Sequence, residues 1–227
     1  MVTTVVFEER FEMPLDIHSL ADFRRWAQSG SFPGEGRVDF VGGRIEVDMS
    51  PEDLFTHGSV KTEVVGVLWQ LVKAAGLGHL FTDATRVSAP AADLSAEPDV
   101  VFVRNETIDS GEVRLVPRRG GAADRYVELE GGPDLTVEIV SDSSSKKDTS
   151  RLPVAYFQAG TLEYWLIDAR GDRLVFRVHR RGATAFEPVD VDPDGYQPSA
   201  VFGCAFLLER GRDSRGYPRY DLLVRRT

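Results

Sequence analysis

The chain has 227 residues, of which 42% are hydrophobic and 28% charged, a balance that suits a folded soluble protein and excludes a disordered, collagen-like or coiled-coil chain. Its formal net charge of −9 argues against a general nucleic-acid coat protein and leaves room for a local basic patch or for cations held by its own carboxylates. One cysteine, Cys204, excludes a disulfide framework and an all-cysteine zinc site. No segment approaches the roughly 18 apolar residues of a membrane helix, and the N-terminus lacks a signal-peptide pattern, so the expected location is the cytoplasm, with no membrane partner.

Residues 2–12 read as extended, around Val5, Val6 and Phe7. A helix is predicted from Asp16 to Ser29, with Ser19 as its cap, Asp22 three residues on, and Leu20, Phe23 and Trp26 at helical spacing. Arg37–Val41 and Arg44–Met49 form a hairpin signal across Gly42-Gly43. A second helix is predicted from Phe55 to Ala75, ended by Gly76 and Gly78. His79–Ala89 and Asp99–Val103 follow as strands, and residues 104–133, rich in glycine and charge, read as a loop or insertion. Leu135–Val140 is a buried strand, Lys147–Ala159 a helix interrupted by Pro153, and Glu163–Asp168 a further strand. From 173 to the end, short apolar runs imply two to four more strands. The order predicts an α/β (α+β) fold with a mixed central sheet flanked by helices. The expected organisation is a single domain over 1–227: an extension at 1–36, a core at 37–170 and a β extension at 171–227.

Two carboxylates stand out. Asp99 precedes the apolar run VVFV, and Glu138 sits inside LTVEIV. Burying a carboxylate costs several kcal/mol unless a cation or donors compensate it. Adjacent strands would bring both acids to one divalent ion, which takes one or two protein carboxylates besides water and phosphate oxygens. On position alone Asp99 is also readable as a residue capping the turn after Pro98, and Glu138 as an outward-facing acid on an edge strand.

The segments VGGRIEVDMSP, His57, EPDVVFV, LTVEIVSDSSSKKD and AYFQAGTLEYWLIDAR, from about Val38 to Asp168, resemble the Uma-type endonuclease family of the PD-(D/E)XK nuclease superfamily. Tyr156, Gly160, Tyr164, Trp165 and Asp168 fall where that family has them. The resemblance implies a restriction-endonuclease-like fold with extra N- and C-terminal strands, and metal-dependent hydrolysis of nucleic-acid phosphodiesters, DNA foremost, by metal-activated water. It implies that Asp99 and Glu138 hold Mg²⁺ or Mn²⁺, with Asp39 a further ligand or a neighbour, and His57 either part of the site or a packing residue at a helix start. The superfamily lysine, two residues after the second acid, is replaced by Val140, and the alternative helix position by Leu152. Lys147 is the first candidate to supply the missing cation, Arg151 the second, and Lys146 a third. A homodimer follows from the two cuts a duplex needs. The competing function is a nuclease-fold protein with weak or no catalysis that binds nucleic acid or protein.

Asp109-Ser110-Gly111 reads as a turn, and Tyr164 and Trp165 as core residues rather than a stacking platform.

Overall fold

The computed structural model describes residues 4–7, 11–121 and 123–226. A short hairpin, β1 (Thr4–Phe7) and β2 (Phe11–Pro14), bears out the extended N-terminus where it is described; residues 2, 3 and 8–10 of that expectation lie outside the described residues. Helix α1 (Leu20–Ala27) is shorter than its periodicity suggested. Ser19 accepts a hydrogen bond from the Asp22 amide, satisfying an otherwise orphan donor, and Leu20, Phe23 and Trp26 are buried as spaced.

Strands β3 (Arg37–Val41) and β4 (Arg44–Asp48) pair antiparallel across Gly42-Gly43. Both glycines have positive φ, 56° and 74°, which this tight turn demands and side-chain-bearing residues resist. A π-helical turn, Leu54–Ser59, then runs into α2 (Val60–Ala75), which ends at left-handed Gly76. Gly78 does not end the helix. It begins β5 (Gly78–Thr82) at φ 155°, where a Cβ would meet the Val103 carbonyl oxygen at 2.1 Å.

The predicted strand His79–Ala89 is two strands. Asp83 and Ala84 take positive φ and break it, so that β5 and β6 (Arg86–Ala89) join different sheets. The sequence reading missed β7 (Leu94–Ala96). After β8 (Val100–Arg104), the supposed loop 104–133 holds α3 (Asn105–Asp109) and a hairpin of β9 (Val113–Pro117) and β10 (Tyr126–Gly131). Arg114, Glu128 and Glu130 share the face that meets Arg24 of α1, and their charge conceals the alternation that buries Val113 and Leu129 on the other face. Asp109-Ser110-Gly111 closes α3 with a turn.

Then come β11 (Leu135–Ile139), a second π-helical turn (Lys147–Arg151), α4 (Leu152–Ala159) and β12 (Glu163–Asp168). Five strands follow where two to four were expected: β13 (Val175–Arg181), β14 (Phe186–Pro188), β15 (Gln197–Ser199), β16 (Cys204–Arg212) and β17 (Pro218–Arg226).

The mixed sheet foreseen at the centre has the order β14-β13-β12-β11-β8-β5, and a second six-stranded mixed sheet, β4-β3-β7-β6-β10-β9, lies beside it. Three C-terminal strands form β15-β16-β17. The run Val100–Val103 is apolar throughout because it is buried on both faces. Val100 and Phe102 pack with Val64 and Leu68 of α2, whereas Val101 and Val103 pack with Val87, Val113 and Leu129 of the second sheet. Helix α4 bridges the sheets, its Leu152, Ala155 and Tyr156 packing with Val41, Ala89, Leu94 and Tyr164. Tyr164 and Trp165 are core residues. No helix among the described residues is long and apolar enough to cross a membrane.

Candidate active site

The register places the two acids. In the antiparallel pair β8–β11, Val100 stands opposite Val137, so one step further sets Asp99 opposite Glu138. Leu135, Val137 and Ile139 alternate into the α2 side of the sheet, which leaves Glu138 on the face toward α4 and the second sheet. From that second sheet β3 contributes Arg37 and Asp39, two residues apart and therefore on one face. Asp39, Asp99 and Glu138 are each 1% exposed or less.

Each buried acid has a different set of partners. Asp99 Oδ2 accepts the Ile139 amide at 2.7 Å. Its Oδ1 lies 2.8 Å from Arg37 Nη2 and 3.4 Å from both His57 Nε2 and Lys61 Nζ. Burial pushes the Asp99 carboxyl up, but His57, Arg37 and Lys61 outweigh it and hold the group well below the usual range, so it is ionised. Glu138 Oε1 accepts the Tyr156 hydroxyl at 2.8 Å, while its buried Oε2 accepts no hydrogen bond and sits 3.9 Å from Arg37 Nη1. Burial, then Asp148 and Asp99, push the Glu138 carboxyl well above the usual range, against Arg37 and Lys147.

Lys147 is buried on the π-helical turn before α4 and donates to Asp39 Oδ2 at 2.6 Å; Asp39 Oδ1 accepts the Glu97 amide at 3.0 Å. Burial lowers the Lys147 pKa, but Asp39 and Glu138 raise it further, so the ammonium is charged. The next residue, Asp148, is pushed up to about 6 by burial, against its bond from Ser144 and the charge of Lys147.

A third group opens onto solvent. Asp53 caps the first π-helical turn by accepting the amides of Phe55 (2.9 Å) and Thr56 (2.7 Å), which sets Glu52 and His57 side by side. His57 Nδ1 is 3.1 Å from Glu52 Oε2, without hydrogen-bond alignment. One turn on, Lys61 reaches Glu52 at 2.9 Å and Asp83 at 2.6 Å besides Asp99. Burial lowers the His57 pKa, but Asp99 raises it past its ordinary value. Glu52, His57 and Asp83, together with Arg37, Asp48 and Glu97, line a cavity of about 350 Å³.

The cluster thus gathers Asp99, Glu138, Asp39, His57 and Lys147 of the sequence-predicted residues. Arg151 lies at its rim, paired with Glu46 at 2.6 Å. Lys146 is exposed at the start of the turn, next to buried Lys147, and joins none of these bonds. Sequence reasoning missed Arg37, Glu52, Lys61, Asp83 and Asp148. Two left a local signal: Arg37 shares a strand face with Asp39, and Lys61 lies one helical turn after His57.

The donor chemistry fits a divalent cation. Glu52, His57 and Asp99 offer ligand atoms all within 4.8 Å of one another, and Glu138 Oε2 is a buried acceptor with no donor. Carboxylate oxygens suit Mg²⁺ and Mn²⁺, and an imidazole nitrogen is tolerated by the transition metal.

Comparison with known proteins agrees with this architecture. The Uma2 family, described as "putative restriction endonuclease", matches residues 20–209. A crystal structure of a "putative nuclease belonging to DUF820" from Anabaena variabilis ATCC 29413 is 22% identical, with a TM-score of 0.58, over 81% of this chain and 90% of that one. That degree of identity speaks for a shared fold. No curated protein matches the chain.

Proposed function

The chain belongs to the Uma2 family, and on that premise we propose that it is a metal-dependent endonuclease that hydrolyses DNA phosphodiester bonds. The observation that carries this reading is the buried pair of Asp99, just before β8, and Glu138, on the adjacent strand β11, with one Glu138 oxygen left without a donor. Asp99 and Glu138 would hold Mg²⁺ or Mn²⁺, with Glu52 and His57 at the open side. When bound, such an ion lowers the pKa of water and offsets charge on a phosphoryl group.

The chain's own residues do the rest. Lys147, kept protonated by Asp39, is a fixed cation for charge developing on the phosphate, which replaces the lysine absent at Val140. Its raised pKa suits charge stabilisation and not proton abstraction. Arg37 and Lys61 keep Asp99 ionised and ready as a ligand. One site per chain and two strands per duplex make a homodimer the form that cuts both strands, in the cytoplasm where its substrate would be met.

A second reading has its own support. Arg37 and Lys61 already neutralise Asp99, and Tyr156 satisfies half of Glu138, so the cluster is stable as a metal-free scaffold that binds without cutting. Calorimetry with Mn²⁺, paired with cleavage of plasmid and single-stranded DNA, separates the two. The nuclease reading requires that wild type binds the ion and cuts, and that Asp99→Asn and Glu138→Gln do neither. Lys147→Met should bind the ion and lose cutting by about 10²-fold or more. Failure of the wild type to bind Mn²⁺ at all would sink the reading in favour of the scaffold.

A further inference from the structure

The tip of the C-terminal hairpin concentrates positive charge. Against a formal net charge of −9, it holds Arg210, Arg212, Arg215 and Arg219 with Asp213 between them. Arg219 is paired with Asp221 at 2.8 Å. Arg210 instead donates to the carbonyls of Ala169, Gly171 and Asp172, and Arg212 to that of Gly216. Among the described residues, no carboxylate forms an ion pair with Arg210, Arg212 or Arg215. The Asp213 carboxylate is committed to the amides of Arg215 (2.8 Å) and Tyr217 (2.9 Å), which fix the turn.

The tip adjoins the candidate site. Strand β17 packs on the π-helical turn that bears His57, and Tyr217 stacks on Phe55 of that turn, with centroids 5.4 Å apart and planes 6° from parallel. Tyr217 is still 53% exposed. Thr56, the residue between Phe55 and His57, lines a groove of about 460 Å³ together with Arg170, Asp172, Arg210 and Arg212. His57 lines the site cavity. The groove and the site are therefore neighbours across one turn of chain. The site cavity itself presents Asp48, Glu52, Asp83 and Glu97, a field that repels a polyanion. A strand held there needs a cationic handle outside it.

We propose that the hairpin tip is the surface that grips the nucleic-acid strand beside the site, with Arg210, Arg212 and Arg215 on phosphates and Tyr217 stacked on an unpaired base. This rests on the nuclease reading above and says where its substrate lies. Family membership does not carry it, because the tip lies beyond residue 209, where the family match ends. Guanidinium groups pair with phosphate through parallel hydrogen bonds, and such contacts supply most of the strand's affinity. An aromatic ring backed by another ring is a platform on which any base can stack.

The test is anisotropy of a labelled oligonucleotide, single-stranded or duplex, across a salt series with chelator present. Arg212→Gln with Arg215→Gln is the main variant; Arg210 is left in place because its carbonyl bonds hold the 169–172 loop. On single strands, the slope of log affinity against log salt should fall in magnitude by about 1.4, from roughly 0.7 per phosphate contact. Tyr217→Ala should weaken single-strand binding about tenfold and duplex binding less, and Tyr217→Phe should restore it. Arg118→Gln with Arg119→Gln, in the β9–β10 loop, should change neither. An unchanged slope at the hairpin, or a loss that follows the Arg118 and Arg119 variant instead, overturns the proposal. So does a Tyr217→Ala effect of equal size on both substrates, which would make the ring only a prop for the turn.

Cleavage with Mn²⁺ on the same samples keeps the two readings apart. Cutting by wild type with hairpin-independent binding overturns the grip alone. Hairpin-dependent binding without cutting supports the grip and the scaffold reading. Absence of both binding and cutting in the wild type removes the grip together with the nuclease.

Discussion

Asp99 and Glu138 face each other across one strand pair, yet their surroundings push them in opposite directions. Asp99 meets His57, Arg37 and Lys61, which hold its carboxyl down; Glu138 is pushed up by burial and by two other acids. Their neutral amide replacements should therefore differ. Asp99→Asn takes from the largely buried Arg37 its nearest carboxylate and should cost about 3–5 kcal/mol in urea unfolding at neutral pH. Glu138→Gln mimics the protonated state and should stay within about 1 kcal/mol of wild type. Equal losses would mean that both acids are ionised in the folded protein. Asp148 gives a pH signature. Its pKa rises from 3.8 unfolded to about 6 folded, so the unfolded chain releases its proton first and stability falls as pH rises through that window. The sign is opposite to that of Asp99, whose depressed pKa contributes stability above the unfolded value and loses it only in acid. Relative to wild type, Asp148→Asn should gain up to about 3 kcal/mol between pH 4 and pH 7. A difference that stays flat over that range would show the carboxyl to be solvated.

At the scale of elements, both π-helical turns present side chains of the candidate site, and each lies just before an α-helix. The wider turn aims His57 at Asp99 from one side and Lys147 at Asp39 from the other. Asp53 holds the first turn through two amides and the Thr56 hydroxyl. Asp53→Ala should cost about 1 kcal/mol of stability and weaken Mn²⁺ binding, because Glu52 and His57 flank the lost cap. Stability loss with unchanged ion affinity in calorimetry would show that the turn does not position the ligands. The helical periodicity around both turns was readable in the sequence. The turns themselves were not, because the hydrogen-bond slip that makes a π turn leaves the apolar spacing of the neighbouring helix intact. The β9–β10 hairpin escaped notice for the complementary reason: Arg114, Glu128 and Glu130 on its second face pair with one another and with Arg24 of α1, and charge dominates the composition of the segment.

At the scale of the whole molecule, the C-terminal hairpin belongs to the largest core cluster. Phe206, Leu208, Tyr220 and Leu222 are buried there with α2 and Trp165, whose ring lies 4.7 Å from that of Phe206. A chain ending at Gly203 would expose the α2 face, and burial of each large apolar side chain contributes about 1.5–3 kcal/mol. It should lose its cooperative thermal transition, as followed by near-ultraviolet circular dichroism and calorimetry. A cooperative melt in the shortened chain would show that the hairpin is dispensable for folding and serves only at the surface.

Sequence alone determined the features that rest on local rules. Ser19 and Asp22 cap α1, two glycines turn β3 into β4, and the run at 100–103 declares a strand buried on both faces. It also singled out Asp99, Glu138 and Lys147, through the cost of burying charge and through the family resemblance. What only the tertiary structure decided is which charges answer those acids. Arg37 comes from the other sheet, Lys61 from α2 and Tyr156 from α4. Electrostatic partners are set by distance in space, and these pairs lie 18 to 62 residues apart along the chain. The same reason hid the second six-stranded sheet, whose strands meet through long-range pairing, and set Lys147 in the core beside an exposed Lys146 that shares its chemistry but not its direction.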